Sequence, residues 1–319
     1  MDLAMSQTAF ALVPITLLGS ILNWCIFYSI HRLSSFNNSF GYLSANQAFT
    51  DALHSTAFLL YFCPMVLLDQ PILKEYSHHC GFLVLFCYEL SVMTHFAISL
   101  NRFAAAYAPI AYDRMFSLKK TRIIIVFLWV FTGSVAYLFY QHWCHLYYDT
   151  NIHFFTFTNT EFCGLIAWYG DFLKKTNVFL PTDSKRCQNI TWYTDFVVNS
   201  TTVTIFMTLD LLTVAKVRQS RLTGNHDSST VTKRERRFLT QTVFQGSLFV
   251  FELFVFFFVP KFTDNEVALF FSGTVAFVAI HMLDGVIVLA CNPETRFYLF
   301  CRKQQKINTI SVQHSVSKY

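Results

Sequence analysis

Seven mostly apolar stretches, each about long enough to cross a bilayer, constrain this chain more than any other feature. They run over residues 8–30, 43–68, 80–101, 123–141, 194–215, 238–260 and 267–290. A helix needs about 20 such residues to span a hydrocarbon core, and inside lipid every backbone N–H and C=O must be paired within its own segment. The expected fold is therefore an all-α membrane protein: one seven-transmembrane helix bundle over residues 1–319, with 291–319 as a polar tail. Composition agrees, since 13% of the residues are charged against about 25% in a soluble domain. The first and fourth stretches hold no Asp, Glu, Lys or Arg, whereas each of the others carries one or two acids. The first is too long for the apolar core of a signal peptide and follows no basic residue, so a retained anchor is expected. With so few residues ahead of it, no separate binding ectodomain is expected.

Lysine and arginine in the short loops predict the orientation. With the N-terminus outside, eighteen of the 24 basic residues fall on the inner side. They are Arg32, the group from Arg102 to Arg122, the group from Lys216 to Arg237 and those of the tail. Lys74, Lys174, Lys175, Lys185, Arg186 and Lys261 remain outside. The C-terminus is thus expected in the cytoplasm. The basic clusters 114–122 and 233–237 would meet anionic lipid or a cytoplasmic partner. A net charge of +5, scattered in this way, gives no nucleic-acid surface.

Reactive constellations are sparse. Nine cysteines include no CxxC pair, which argues against zinc-ribbon and thioredoxin-like sites. His78-His79-Cys80 and His142-Trp143-Cys144-His145 lie in loops with no element to hold tetrahedral geometry, so no metal centre is expected. Nothing pairs a nucleophile with a base, so the chain does not read as an enzyme. A polytopic transporter with buried acids is the alternative, although no half-to-half symmetry is present. In the second outer loop Cys163-Gly-Leu-Ile-Ala-Trp168-Tyr169-Gly-Asp171-Phe172 is echoed 24 residues later by Cys187-Gln-Asn-Ile-Thr-Trp192-Tyr193-Thr-Asp195-Phe196, as a duplication would leave it. Asn189-Ile-Thr191 is a glycosylation sequon on the outer side.

Ionisable groups inside spans are costly and mark function by default. Tyr88 and Glu89 lie about 20 Å along a helix from Arg102 at 1.5 Å per residue, the depth of a small-molecule pocket open to the outside. His95, Asp210 and Glu252 are further interior groups; an ordinary interior hydrogen bond is the expectation for the last two.

At the inner end of the third stretch stands Asn101-Arg102-Phe103, followed by Pro109 and Tyr112. This resembles the Asp-Arg-Tyr and Pro-Leu-x-Tyr of rhodopsin-like receptors, and more closely the nematode serpentine chemoreceptors of class x. The resemblance covers nearly the whole chain. It is carried also by Ser99-Leu100, Trp168-Tyr-x-Asp171-Phe172, Asp284-Gly285 and Asn292-Pro-Glu-x-Arg296. It implies a chemosensory receptor at the cell membrane of sensory neurons or their cilia, with a small-molecule ligand. Coupling to a heterotrimeric G protein would run through Asn101, Arg102, Phe103, Pro109 and Tyr112.

Other roles follow from the resemblance alone. Asp51 stands at the acidic position of the second helix, and Asp284-Gly285 replaces the Asn/Asp-Pro of the seventh. Ser91 and His281 would join these two acids, and the group would hold a structural sodium ion or share a proton. No other cofactor is implied. Retinal needs a lysine in the seventh stretch, and 267–290 has none. Cys80 would form a disulfide with Cys163 or Cys187. The sixth stretch lacks the family's interior proline, Pro260 lying at its end, and Asn292-Pro293 would start a short cytoplasmic helix.

Overall fold

The computed structural model describes residues 3–142, 144–149, 154–159, 191–222, 229–263 and 265–300. Seven long helices occur among them. They are α1 (Leu3–Arg32), α2 (Ser39–Ala57), α3 (Ser77–Tyr107), α4 (Leu118–His142), α5 (Val198–Leu222), α6 (Ser229–Phe258) and α7 (Ala276–Cys291), and a short α8 (Pro293–Phe300) follows. Pro293 begins α8, where a missing N–H costs nothing. Three helices contain or adjoin a wider turn: Phe58–Phe62 after α2, Trp192–Val197 before α5 and Phe271–Val275 before α7 are π-helical. Such turns shift a helix face by one residue and gather at functional sites. Here all three lie toward the same end of the bundle.

Among the described residues six helices are long and apolar enough to cross a membrane, with spans from Phe10–Arg32 to Glu266–Cys291. The stretch at 43–68 is the exception, and its burial explains why. Ser44, Asn46, Gln47, Thr50, Asp51, His54 and Ser55 of α2 are all buried against neighbouring helices. A helix that faces protein rather than lipid can carry polar groups because its neighbours pair them. The reverse holds for α4, where Ile123, Val126, Phe127, Val130 and Phe131 form an exposed apolar stripe at helical spacing, as a lipid-facing surface requires.

α3 is the axis of the bundle, packed against α2, α4 and α5, while α1 and α6 close the ring onto α7. Between α4 and α5 lies an antiparallel hairpin, β1 (Cys144–Asp149) and β2 (Phe154–Asn159), with Leu146 opposite Phe157 and Tyr148 opposite Phe155. The sequence reading did not anticipate it. Alternation in Cys144-His-Leu-Tyr-Tyr-Asp149 was the available signal, and Cys144, Leu146 and Tyr148 are the buried set. The hairpin lies over the start of α3 so closely that a Cβ on Gly81 would sit 1.9 Å from the Leu146 carbonyl oxygen. The Ser77 hydroxyl also accepts a 3.1 Å hydrogen bond from the Tyr148 N–H. Tyr148, Phe155, Phe58 and Phe62 form one aromatic cluster there. This is the hairpin end of the bundle; the other is the Arg102 end.

The Cys80 thiol is free and buried, which overturns its pairing with Cys163 or Cys187. Cys144 carries the disulfide instead. The start of α3 turns Cys80 into the apolar core, and Cys144 is buried on the inner face of β1. Cys163, Cys187, the sequon at Asn189, the motif 168–172 and most of the tail lie outside the described residues.

Candidate functional site

The interior holds three polar layers. At the centre, Asp51 of α2 is fully buried and accepts from three helices' side chains. His281 Nδ1 lies 2.7 Å from Asp51 Oδ1, and the Ser91 hydroxyl donates to the same oxygen at 3.2 Å. Gln47 Nε2 lies 3.1 Å from each carboxylate oxygen and donates to Ser91 Oγ at 2.5 Å. Asp284 joins by a different contact: it faces His95 Nε2 of α3 at 3.5 Å and is within electrostatic reach of Asp51. Thus Asp51, Ser91 and His281 make direct bonds, while Asp284 takes the histidine that sequence reasoning had left without a partner.

The layer is braced from outside. Asn23 of α1 donates to the His281 carbonyl oxygen at 2.9 Å, and a Cβ on Gly285 would meet Asn23 Oδ1 at 2.7 Å. Glycine at the family's proline position thereby lets α1 approach α7. His54 stacks on His281 with ring centroids 3.8 Å apart. Gln47, Ser91 and His281 converge on one carboxylate and so tie α2, α3 and α7 together, while His54, His95 Nε2, His281 Nε2 and Asp284 Oδ1 make no hydrogen bond.

At the Arg102 end the expected solvent-facing charge is instead covered. The Arg102 guanidinium lies 4.4 Å from the centroid of Phe40 and 5.2 Å from that of Phe238, contacts worth about 0.5–2 kcal/mol each. Asp210 of α5 is within electrostatic reach of it, though no ion pair forms among the described residues. Asp210 faces the Ser99 and Thr242 hydroxyls, in keeping with the interior bond expected of it, although neither closes to full hydrogen-bond geometry. Asn101 Nδ2 donates to the Tyr112 hydroxyl at 3.2 Å, which ties the end of α3 to the short helix Pro109–Met115. Phe103 stacks on Tyr107, whose hydroxyl donates to the Leu212 carbonyl of α5. Asn101, Arg102, Pro109 and Tyr112 line a cavity of about 420 Å³ with Lys216 and Phe238.

Toward the hairpin end lies a smaller cavity of about 20 Å³, lined by Tyr88, Asp195, Glu252, Thr274 and phenylalanines. Tyr88 donates to Glu252 Oε2 at 2.9 Å, so Glu252 does make the interior bond expected of it. Asn199 Nδ2 donates to Glu89 Oε1 at 2.9 Å and to Asp195 Oδ1 at 2.8 Å. Glu89 therefore stands behind the cavity rather than in its wall. Asp195 was not singled out from sequence, because Trp192-Tyr193-Thr-Asp195-Phe196 reads as a loop echo. In the structure it is the π-helical turn that leads into α5.

Comparison with known proteins accords with this geometry. The profile of the family described as "Serpentine type 7TM GPCR chemoreceptor Srx" matches residues 13–182 and 172–292. Serpentine receptor class X 45 of Caenorhabditis elegans is 28% identical over 308 residues, covering 91% of this chain and 80% of that protein. Serpentine receptor class X-43 of the same organism is 23% identical over 311 residues, covering 94% and 89%. Squid rhodopsin shares the fold at a TM-score of 0.72 with 14% identity, over 94% of this chain and 80% of that one. With both family matches spanning the helices that build the three layers, this multi-pass membrane protein belongs to the Srx family of serpentine seven-transmembrane G-protein-coupled chemoreceptors.

Proposed function

We propose that the receptor binds a small-molecule cue in the aromatic cavity toward the hairpin end and activates a heterotrimeric G protein at the Arg102 end. The observation that carries this reading is the 420 Å³ cavity lined by Asn101, Arg102 and Tyr112, wide enough to admit side chains of a partner helix. Basic residues concentrated at that end put it in the cytoplasm, with the N-terminus and hairpin outside, at a sensory neuron's surface or cilium. The two ring contacts hold Arg102 ready: separating Phe40 of α2 from Phe238 of α6 would free the guanidinium for a partner's carbonyl groups. The central layer of Asp51, Ser91, His281 and Asp284 couples the two ends, with a sodium ion or a shared proton as its switchable element.

Arg102→Ala tests this reading. In cells expressing the chain with a promiscuous G protein, cue-evoked signalling should vanish at matched surface expression. Full signalling from the variant would sink the proposed coupling role. Tags on both termini, read with and without permeabilisation, check the orientation in the same cells.

A further inference from the structure

We infer that the cavity toward the hairpin end takes a small organic cation, a protonated amine held between carboxylates and aromatic faces; this rests on the ligand-pocket reading above. Two acids line the cavity, Asp195 and Glu252, and both are buried. Glu89 stands behind them, and all three carboxyls are within mutual electrostatic reach. None has an ion-pair partner among the described residues. Their hydrogen bonds come from the Tyr88 phenol and the Asn199 amide, groups that satisfy lone pairs but supply no charge. The neighbouring lysine, Lys261, points elsewhere: its ammonium lies 4.2 Å from the centroid of the Trp192 ring.

A separate observation points to a ligand. The Thr274 hydroxyl is 2% exposed, lines the same cavity and has no hydrogen-bond partner. It sits in the π-helical turn Phe271–Val275, which turns a polar side chain inward beside the two acids. A buried hydroxyl without a partner is costly, and so are buried carboxylates without a counter-charge. An ammonium group resolves both, donating N–H to Thr274 and to the acids. The remaining wall is built of Phe58, Phe155, Phe256, Phe257 and Phe277, whose ring faces attract a cation with methyl substituents. An anion would meet like charge, and a neutral ligand would leave the acids uncompensated. At about 20 Å³ the space holds a group about the size of one water, so even a methylated ammonium must displace the rings to enter.

The probes are methylammonium, dimethylammonium and trimethylammonium chlorides, with potassium chloride and tert-butanol as charge and shape controls. Full-length receptor in lipid nanodiscs is melted at constant ionic strength. A saturable rise in Tm with an ammonium ion, and not with either control, is expected. Glu252→Gln and Asp195→Asn should each weaken its apparent affinity at least about tenfold, the scale of one lost charged contact. Thr274→Val should weaken it less and serves as the independent variant if an acid substitution fails to fold. The two amide variants should melt no lower than wild type without ligand, whereas a purely structural role for the acids requires a lower Tm. An equal shift with tert-butanol, no shift with any ammonium, or a shift that survives all three substitutions would overturn the proposal. If a neutral or anionic cue drives signalling and Glu252→Gln alters its potency, the amine is wrong and the pocket stands. Signalling indifferent to all three substitutions removes the pocket as well.

Discussion

Asp51 and Asp284 at the bundle centre each face a histidine from another helix, whereas Asp195, Glu252 and Glu89 face an amide, a phenol and one another. Both groups pay the cost of removing charge from water. At the centre that cost is offset inside the protein: His281 and Gln47 serve Asp51, and His95 serves Asp284. Toward the hairpin end no basic partner is present among the described residues. A cluster that sets histidines against its acids, even with some ring nitrogens unbonded, holds helices together or toggles between internal arrangements. A cluster that lacks one charge sign is arranged for something that brings it. The two clusters also sit on differently fixed elements, since the centre joins straight helical segments while the hairpin-end cluster is flanked by π-helical turns.

Removing one partner from each cluster gives the largest contrast. Asp51→Ala leaves Gln47, Ser91 and His281 directed at a cavity, and breaking such a buried set costs about 3–5 kcal/mol. The expected outcome is little or no folded receptor at the cell surface and a strongly lowered Tm in detergent. Glu252→Gln keeps the volume and the Tyr88 contact and removes an uncompensated charge, so its Tm should stay level or rise. Equal losses from both substitutions would erase the distinction between the clusters.

Cysteine substitutions test how the hairpin end is anchored. Losing a native disulfide costs about 2–5 kcal/mol in small secreted domains, so Cys144→Ser should lower the Tm clearly, and reductant should lower the Tm of wild type but not of this variant. Cys80→Ala removes only a free thiol from the core and should cost less than Cys144→Ser. A larger effect at Cys80 would restore it as the bridged residue.

What could be read from sequence divides along the same line. The seven helices follow from segment length and apolar content, and Asp51, Ser91 and His281 could be grouped through the resemblance, which aligns their positions in the second, third and seventh helices. His95 was visible as a residue but not as the partner of Asp284, since the rotation of α3 about its axis comes from packing and not from spacing. The hairpin end was harder. Cys80 looked like the bridged cysteine because the resemblance places one at the start of the third helix, and nothing local marks Cys144 as the alternative. Asp195 was hidden by the repeat: two copies of Trp-Tyr-x-Asp-Phe offer equal claims, and only three-dimensional packing seats the second against Asn199 and Glu89. The cover over Arg102 was not legible, because it comes from Phe40 and Phe238, which are distant in sequence.

Within the centre, the two acids should act together rather than separately. Asp51→Asn and Asp284→Asn combined should perturb basal activity and cue potency less than the sum of the single variants, with a coupling of about 0.5–3 kcal/mol. Strict additivity would show two independent histidine–acid pairs. Sodium at fixed ionic strength then discriminates the switchable element. A sodium-dependent shift in potency that disappears in Asp51→Asn identifies the ion, and no shift leaves the proton.

The smallest expected effect separates the rim of the hairpin end from the acids beneath it. His145 on β1 is half-buried, and its ring lies 5.4 Å from that of His78; His79 and Tyr140 complete the group. Burial, with the neighbouring His78 adding to it, holds the His145 imidazole below its ordinary value of 6.5. As pH falls through that ordinary value the unfolded chain takes up the proton before the folded one does, so stability rises with pH in this window and is lost on acidification. The loss is complete once pH lies below the depressed folded value. Between about pH 7.5 and pH 5.5 the Tm of wild-type receptor should therefore fall slightly more than that of His145→Gln, which keeps the ring's polarity but cannot titrate. The acids inside the bundle contribute equally to both proteins and cancel in the difference. Identical pH slopes would show that the histidine rim carries no stability of its own and that any acid sensitivity originates in the cluster below.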